Sequence, residues 1–265
     1  MDLETTRQRA EAVITAKAKS DHVGLSAAFL GAALVRFGSI VATRLPALGD
    51  QAPYNKARHF SLSDAHVLAD IVAFYDEVGI RPSVEVLEPD TTDELGELLG
   101  DAGFSPIADG ITLHVTPNGA SPIQVSGVEI REVGRTERDR YIEVLLDAYE
   151  LPARASALRQ MFAHEHANPG LRRYLASIDG APAAAAALYT CEGTALFAGA
   201  ATLPAFRRHG CQSALIARRL SDAAADCDLV VATAAAGSAS QENLARHGFE
   251  TTHHRTLWRQ HAESS

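Results

Sequence analysis

An internal repeat constrains the fold more than any other feature of the 265-residue sequence. Gly248-Phe249 follows Gly103-Phe104 at a distance of 145 positions, and neighbouring patterns keep that distance. Three further pairs of segments share the offset: the helical pattern of 63–78 with 208–223, the strand pattern of 84–87 with 229–232, and the strand pattern of 107–115 with 252–260. Chance agreement between common helices and strands is the alternative explanation. We predict two related domains, 1–120 and 121–265, joined by the Pro-, Gly- and Ser-rich stretch from Pro117 to Pro122.

Local patterns predict the first elements. Residues 4–19 carry apolar side chains at helical spacing, 26–34 predict a second helix and 37–45 a strand. Ser61, with Asp64 three residues later, is typical of a capped helix start. Thr91 with Glu94 repeats that signal before a helix that Gly103-Phe104 ends. Helices therefore alternate with short strands in both halves, which indicates an α/β (α+β) protein.

Charge and cysteine content narrow the function classes. The chain has 24 Lys and Arg against 33 Asp and Glu, a net charge of -9, which argues against a nucleic-acid partner. Its three cysteines match no zinc-ligand spacing, so we expect no metal and a reducing, cytoplasmic location. The first twenty residues lack the apolar core of a signal peptide, and Arg36 interrupts the most apolar stretch, Gly24 to Thr43, so no membrane association is expected.

The loop after the strand of 194–203 combines two arginines with a glycine at a predicted helix start. Backbone N–H groups in the first turn of a helix have no intrahelical partner and lie at the positive end of its dipole. Gly210 permits close approach of a ligand, and Arg207 and Arg208 can donate charge-assisted hydrogen bonds. A solvated basic cap is the alternative, but arginine at a helix start opposes the dipole unless an anion compensates. The pattern predicts a phosphate site.

Residues 207–212, Arg-Arg-His-Gly-Cys-Gln, resemble the R-x-x-G-x-G/A pyrophosphate loop of the GNAT superfamily of acyl-CoA-dependent N-acyltransferases. Gln212 departs from the usual last Gly or Ala. The strand before the loop, the helix after it and the terminal Gly248-Phe249 are similar to the order of elements in that superfamily. The resemblance covers roughly 128–259 and, more faintly, the first half. It implies two GNAT-like domains, each a mixed, mostly antiparallel sheet flanked by helices.

The resemblance also implies a mode of binding for acetyl-CoA as co-substrate. Ten residues would hold it: Ala201, Thr202, Leu203, Arg207, Arg208, His209, Gly210, Cys211, Gln212 and Ser213. A bulge at Gly199 would splay two strands to admit the thioester, and the N–H of Leu203 would polarise its carbonyl. The amine attacks directly in such enzymes, so we expect Cys211 to be a packing residue.

The first copy lacks these features. Leu62, Ser63, Asp64 and Ala65 stand where the second copy has Arg207, Arg208, His209 and Gly210. An acid at the helix start would repel a pyrophosphate, so the first domain is expected to be a degenerate copy that binds no acyl-CoA.

The sequence lacks the catalytic residues that are usual in the family. Leu244 occupies the place of the tyrosine that serves as general acid in many members, and Gly237 the place of a common asparagine. Ser240 and Asn243 are the weak candidates that remain, while Ser238 and Ser240 have helix capping as the alternative role. A base could be water, Tyr189, Glu192 or a residue of the first domain. His164 and His166 are interpreted as surface histidines.

These observations predict an N-acetyltransferase that uses acetyl-CoA and a small-molecule amine, working as a monomer or homodimer. The alternative is a non-catalytic acyl-CoA-binding or regulatory protein. The tyrosine that acts as acid in the family is missing, and so is its frequent glutamate base, since the strand of 194–203 contains no carboxylate.

Overall fold

The computed structural model describes residues 1–50, 54–117, 125–151 and 155–262. The predicted linker, apart from Pro117, lies outside these residues. The helices in the described ranges are α1 (Leu3–Ala28), α2 (Leu68–Asp76), α3 (Asp93–Asp101), α4 (Arg138–Ala148), α5 (Ser156–His166), α6 (Cys211–Ala223) and α7 (Ala239–Ala245). The strands are β1 (Ala33–Phe37), β2 (Ile40–Arg44), β3 (Lys56–Arg58), β4 (Ser83–Leu87), β5 (Phe104–Val115), β6 (Val128–Glu132), β7 (Leu171–Ile178), β8 (Ala181–Cys191), β9 (Thr194–Thr202), β10 (Leu229–Ala235) and β11 (Glu250–Gln260).

The repeated order of elements is present at the predicted offset. Adding 145 to the bounds of β4, α3 and β5 gives segments that nearly coincide with β10, α7 and β11. The glycines before β5 and β11 also share one backbone conformation, with φ 80° at Gly103 and 83° at Gly248. Both glycines close a helix in the left-handed region, where a side chain would be strained.

The first forty residues differ from the prediction. α1 is a single helix that runs to Ala28, and residues 29–34 are not helical. Gly31, with φ 76°, ends any continuation, and the chain then enters the antiparallel hairpin of β1 and β2. The predicted second helix is therefore wrong, and the predicted strand of 37–45 consists of the end of β1, a turn and β2.

One compact unit consists of Met1–Asp21 and Leu113–Thr252. Its strands follow the order β10-β9-β8-β7-β6, with β9 and β10 parallel and the other pairs antiparallel. The alanines of 183–187 in β8 are fully buried, and both α4 and α6 pack against that strand. Small side chains there let helices approach the sheet closely.

The start of α1 belongs to the same unit. Ala10 and Val13 pack against Leu196, Leu229 and Val231 of β9 and β10. Arg9 pairs with Asp228 at 2.5 Å, and Lys17 pairs with Glu165 at 2.6 Å. These contacts attach the first turns of α1 to the unit that carries the loop of 204–210.

The other compact unit consists of His22–Thr112 and His253–Ser265, described to residue 262. Its strands follow the order β1-β2-β3-β4-β11-β5, and β11 pairs antiparallel with β4, with Arg255 opposite Leu87. The compact units thus differ from the predicted domains at both chain ends. Most of β11 belongs to this unit because its backbone groups form hydrogen bonds with β4, although its position in the repeat predicted the second domain. The N–H and C=O groups at the edge of a sheet need such partners.

The helix start predicted at Ser61 is present in this unit. Asp64 accepts the Ser61 N–H at 3.0 Å and is buried, as in a capping box. A short 3-10 turn, Leu62–Val67, precedes α2 here. Before α3, Thr92 rather than Thr91 caps the helix and accepts the Leu95 N–H at 3.2 Å.

Candidate functional site

A cavity of about 790 Å³ lies in the unit that contains β9 and β10. Its walls are formed by these two strands, the loop of 204–210, α6, α7 and the end of α4. Eight of the ten predicted acyl-CoA residues line it: Ala201, Thr202, Arg207, Arg208, Gly210, Cys211, Gln212 and Ser213. Leu203 and His209 are not among the lining residues.

The cavity opens where β9 and β10 separate. Their parallel register joins Thr194, Ala195 and Leu196 to Leu229, Val230 and Val231. Beyond this point, no further pair is formed between the two strands in the described residues, although β9 runs to Thr202 and β10 to Ala235. Phe197 and Ala232, the next residue of each strand, both line the cavity. The two strands are therefore separated along more than half of their length.

Gly199 forms the predicted bulge in β9. Ala186 lies opposite Ala200 and Ala187 opposite Ala198, so Gly199 is the extra residue. Its φ is 50°, and a Cβ at this position would lie 2.5 Å from His166 Cε1. The bulge therefore requires glycine for its conformation and for the space that His166 occupies.

The loop places a helix start at the cavity. Gly210, with φ 83°, is the N-cap of α6, and no side chain caps it. The first helical hydrogen bond runs from the Ala214 N–H to the Gly210 carbonyl, so the preceding N–H groups have no intrahelical partner. A Cβ on Gly210 would lie 2.6 Å from Val125 Cγ1, so this glycine also gives room for a neighbouring segment of the protein.

Charged side chains of the loop are exposed. Arg207 donates to the carboxylate of Glu150. This carboxylate supplies part of the negative charge that is needed to compensate for arginines at the positive end of the helix dipole. Arg208 is exposed and has φ 68°, a conformation that side chains seldom adopt. Gln212, which departs from the usual motif, donates to Thr202 Oγ1 at 3.0 Å and so connects α6 to the end of β9.

Two expectations for this loop have definite outcomes. The N–H of Leu203 donates to the Ala183 carbonyl at 2.9 Å, so it does not point to a ligand and the predicted role in polarising the thioester is not supported. Cys211 is buried, and burial raises the pKa of its thiol. A raised pKa favours the neutral thiol, as expected of a packing residue.

Both catalytic candidates, Ser240 and Asn243, line the cavity. Asn243 Oδ1 accepts from Arg246 Nη2 at 3.4 Å, while Ser238 caps α7 by accepting the Gln241 N–H. Leu244 is buried in the same wall, where it offers no proton. Neither Tyr189 nor Glu192 is among the lining residues.

The sequence analysis did not identify Tyr149. This residue is the C-cap of α4 and lines the cavity. Its hydroxyl lies 3.2 Å from the position that a Cβ on Gly199 would occupy. Burial raises the pKa of Tyr149, so the phenol stays protonated and can donate a hydrogen bond at neutral pH. No spacing rule in the sequence connects Tyr149 to the loop 58 residues later, at Arg207.

His166 corrects the interpretation of the His164 and His166 pair as surface residues. It is 1% exposed, and its Nδ1 lies 3.0 Å from the Tyr141 hydroxyl. Burial lowers the pKa of His166 to about 4, so the ring is neutral. The end of α5 packs behind the bulge, which is why a polar residue at a helix terminus becomes buried.

Arg219 is the second missed residue, and it lines the cavity from α6. It is 2% exposed, and its guanidinium carbon lies 3.9 Å from the centroid of the Phe197 ring. Its Nε donates to the Leu215 carbonyl and its Nη1 to the Ala187 carbonyl, both at 3.1 Å. Arg219 lies four residues after Leu215, on the same buried face of α6, so helical spacing points it inward although its charge is typical of an exposed residue.

Among the described residues, no group of three or more His, Cys, Asp or Glu side chains is arranged to hold a metal ion. The described helices also include none with the length and apolarity needed to cross a membrane.

Comparison with known proteins matches a family model to part of this chain. Residues 131–232, which include the bulge and the loop, match the description "Acetyltransferase (GNAT) domain". No curated protein matches the sequence.

Solved structures share the fold along most of the chain. A GCN5-related N-acetyltransferase from Kribbella flavida superposes with a TM-score of 0.65 at 20% identity, covering 92% of this chain and 94% of that one. A conserved protein of unknown function from Staphylococcus epidermidis gives 0.67 at 15% identity, over 89% and 96%. A tandem GNAT protein from the clavulanic acid biosynthesis pathway gives 0.62 at 18% identity, over 93% and 88%. Residues 131–232 thus match a GNAT acetyltransferase domain, and the chain shares its fold with these solved structures.

Proposed function

We propose that the protein transfers the acetyl group of acetyl-CoA to the amine of a small molecule, which attacks the thioester directly. The observation that carries this proposal is the cavity between the separated ends of β9 and β10, bounded by the uncapped start of α6. An open strand edge can pair with the amide groups of pantetheine, and a helix start can bind a pyrophosphate.

The chemistry asks little of the protein. The neutral amine forms a bond to the carbonyl carbon, the C–S bond breaks, and sulfur leaves as a thiolate while the amine proton passes to solvent. Cys211 is not needed as a nucleophile. Tyr149 can orient the acceptor through its protonated hydroxyl, and Ser240 and Asn243 can contact the acyl-CoA from α7.

CoA binding tests the site. Calorimetry is expected to find one CoA per chain, since the first copy has Asp64 in place of His209. Arg207→Ala and Arg208→Ala should each weaken CoA by roughly tenfold, as for one charge-assisted hydrogen bond at an exposed site, and should leave pantetheine, which has no phosphate, unaffected. Arg138→Ala, an exposed arginine outside the cavity, is the matched control. Two equivalent sites per chain would contradict the degenerate first copy.

Glu150 provides a test of opposite sign. Its carboxylate pairs with Arg207, so Glu150→Gln removes a competitor for that guanidinium. We expect CoA to bind more tightly to this variant at low salt, with a smaller difference at high salt. Weaker binding would show that Arg207 needs Glu150 for its position rather than being shared with the ligand.

Turnover distinguishes the enzyme from the alternative, a non-catalytic acyl-CoA-binding or regulatory protein. The observation that favours this alternative is the buried Leu244, which stands in place of a general acid. Release of free thiol from acetyl-CoA over a panel of small amines should occur for the enzyme. CoA binding without turnover of any amine would favour the binder. We further propose a reducing, cytoplasmic location, in line with three free cysteines.

A further inference from the structure

The guanidinium of Arg219 has donors left over inside the cavity. It carries five N–H groups, and two backbone carbonyls take one each from Nε and Nη1. Among the described residues, Nη2 has no hydrogen-bond acceptor and no carboxylate forms an ion pair with Arg219. An arginine that is 2% exposed is seldom left in this state, because a buried charge without a counter-ion is costly.

The groups around Arg219 supply no compensating charge. The titratable groups that act on it are Tyr141, Tyr149 and Tyr174, and burial raises the pKa of each. All three are neutral near pH 7. Burial lowers the pKa of Arg219 to about 10, so the guanidinium still carries its charge there. The cavity wall therefore contains a fixed positive charge that none of the described protein groups neutralises.

Its position coincides with the closed end of the strand opening. Arg219 stacks on Phe197, the first residue of β9 after the last pair with β10. It also donates to Ala187, which lies opposite the bulge at Gly199. Eight residues separate it from Cys211, a rise of about 12 Å along α6 from the proposed pyrophosphate site. A thioester reaching inward from that site would end near Arg219.

We propose that Arg219 stabilises the thiolate that leaves when the C–S bond of the acyl-CoA breaks, an inference that rests on the proposed function. The thioester is neutral and the departing sulfur takes the bond's electron pair, so negative charge develops at sulfur only as the reaction proceeds. A fixed, buried cation favours that state over the ground state. Arg219 thereby compensates for the missing general acid, because Leu244 in the same cavity cannot donate a proton.

The test is the pKa of the thiol of bound CoA, which requires no turnover. CoA labelled with ¹³C at the carbon bonded to sulfur reports that thiol alone by NMR, without interference from Cys211. In the wild-type complex we expect this pKa to lie about one unit or more below that of free CoA. In Arg219→Gln it should return towards the free value, whereas Arg219→Lys should keep part of the shift.

Arg218→Gln is the matched control, because it removes the same charge from the preceding residue of α6, which pairs with Asp222 instead of lining the cavity. It should retain the wild-type thiol pKa. An unshifted thiol in the wild-type complex would overturn the inference even if Arg219→Gln does not fold. An equal shift in wild type and a folded Arg219→Gln would also overturn it. Failure of the wild type to bind CoA at all would refute the proposed function instead.

Discussion

Gly199 is the residue on which the shape of the cavity most depends. Gly199→Ala adds a methyl group 2.5 Å from His166 Cε1, at a φ of 50°, so His166 or the strand must move. We expect a loss of about 2–4 kcal/mol in the free energy of unfolding, from overpacking and backbone strain together. Gly180→Ala is the control, with φ 76° and open space around its Cβ, and should cost only the strain. Equal losses in the free energy of unfolding of the two variants, measured by chemical denaturation, would mean that His166 moves aside without cost.

His166 makes stability depend on pH. Its folded pKa of about 4 lies below the usual 6.5, so folding favours the neutral ring. That contribution is complete above pH 6.5 and is lost as pH falls towards 4, by about 3 kcal/mol over the interval. His166→Gln should therefore lose less stability than the wild type between these pH values in denaturant titrations. The exposed His254→Gln should follow the wild type, and a His166→Gln curve parallel to the wild type would contradict the burial argument.

At the scale of elements, the start of α2 depends on Asp64. This buried carboxylate accepts the Ser61 N–H, the Ser61 hydroxyl and the Ser39 hydroxyl at 3.0, 2.6 and 3.3 Å. Asp64→Ala leaves a backbone donor unpaired and should lower the free energy of unfolding by about 1–3 kcal/mol. Asp70→Ala, at an exposed position of α2, should change it by less than about 0.5 kcal/mol. Similar thermal shifts for both variants would show that the capping box contributes nothing.

At the scale of the whole molecule, the second half is not expected to fold without the first. A fragment of residues 124–265 lacks Arg9 and Lys17, which pair with Asp228 and Glu165, and it leaves β11 without β4. Circular dichroism should show an unfolded or aggregated fragment, and calorimetry should show no CoA binding. Co-expression with residues 1–123 should restore both. A lone fragment that binds CoA as well as the full chain would contradict this prediction.

The sequence was informative wherever the signal was local. The helix start at Gly210 and the capping pair at Ser61 follow from residue chemistry within a few positions, and the bulge at Gly199 was implied by the family resemblance. The predicted second helix failed because Gly31 stops α1, and a helical apolar pattern of nine residues carries little weight beside such a stop.

The sequence by itself determined the repeated order of β4, α3 and β5 with β10, α7 and β11, and the helix start at Gly210, because periodicity, turn residues and caps act over short distances. Tertiary structure decided which strand β11 joins, that Leu203 bonds to Ala183, and that His166 and Arg219 are buried. These outcomes depend on partners distant in the chain. A hydrogen-bond donor or a charge is satisfied by whatever lies beside it in space, and only the packed fold brings those neighbours together.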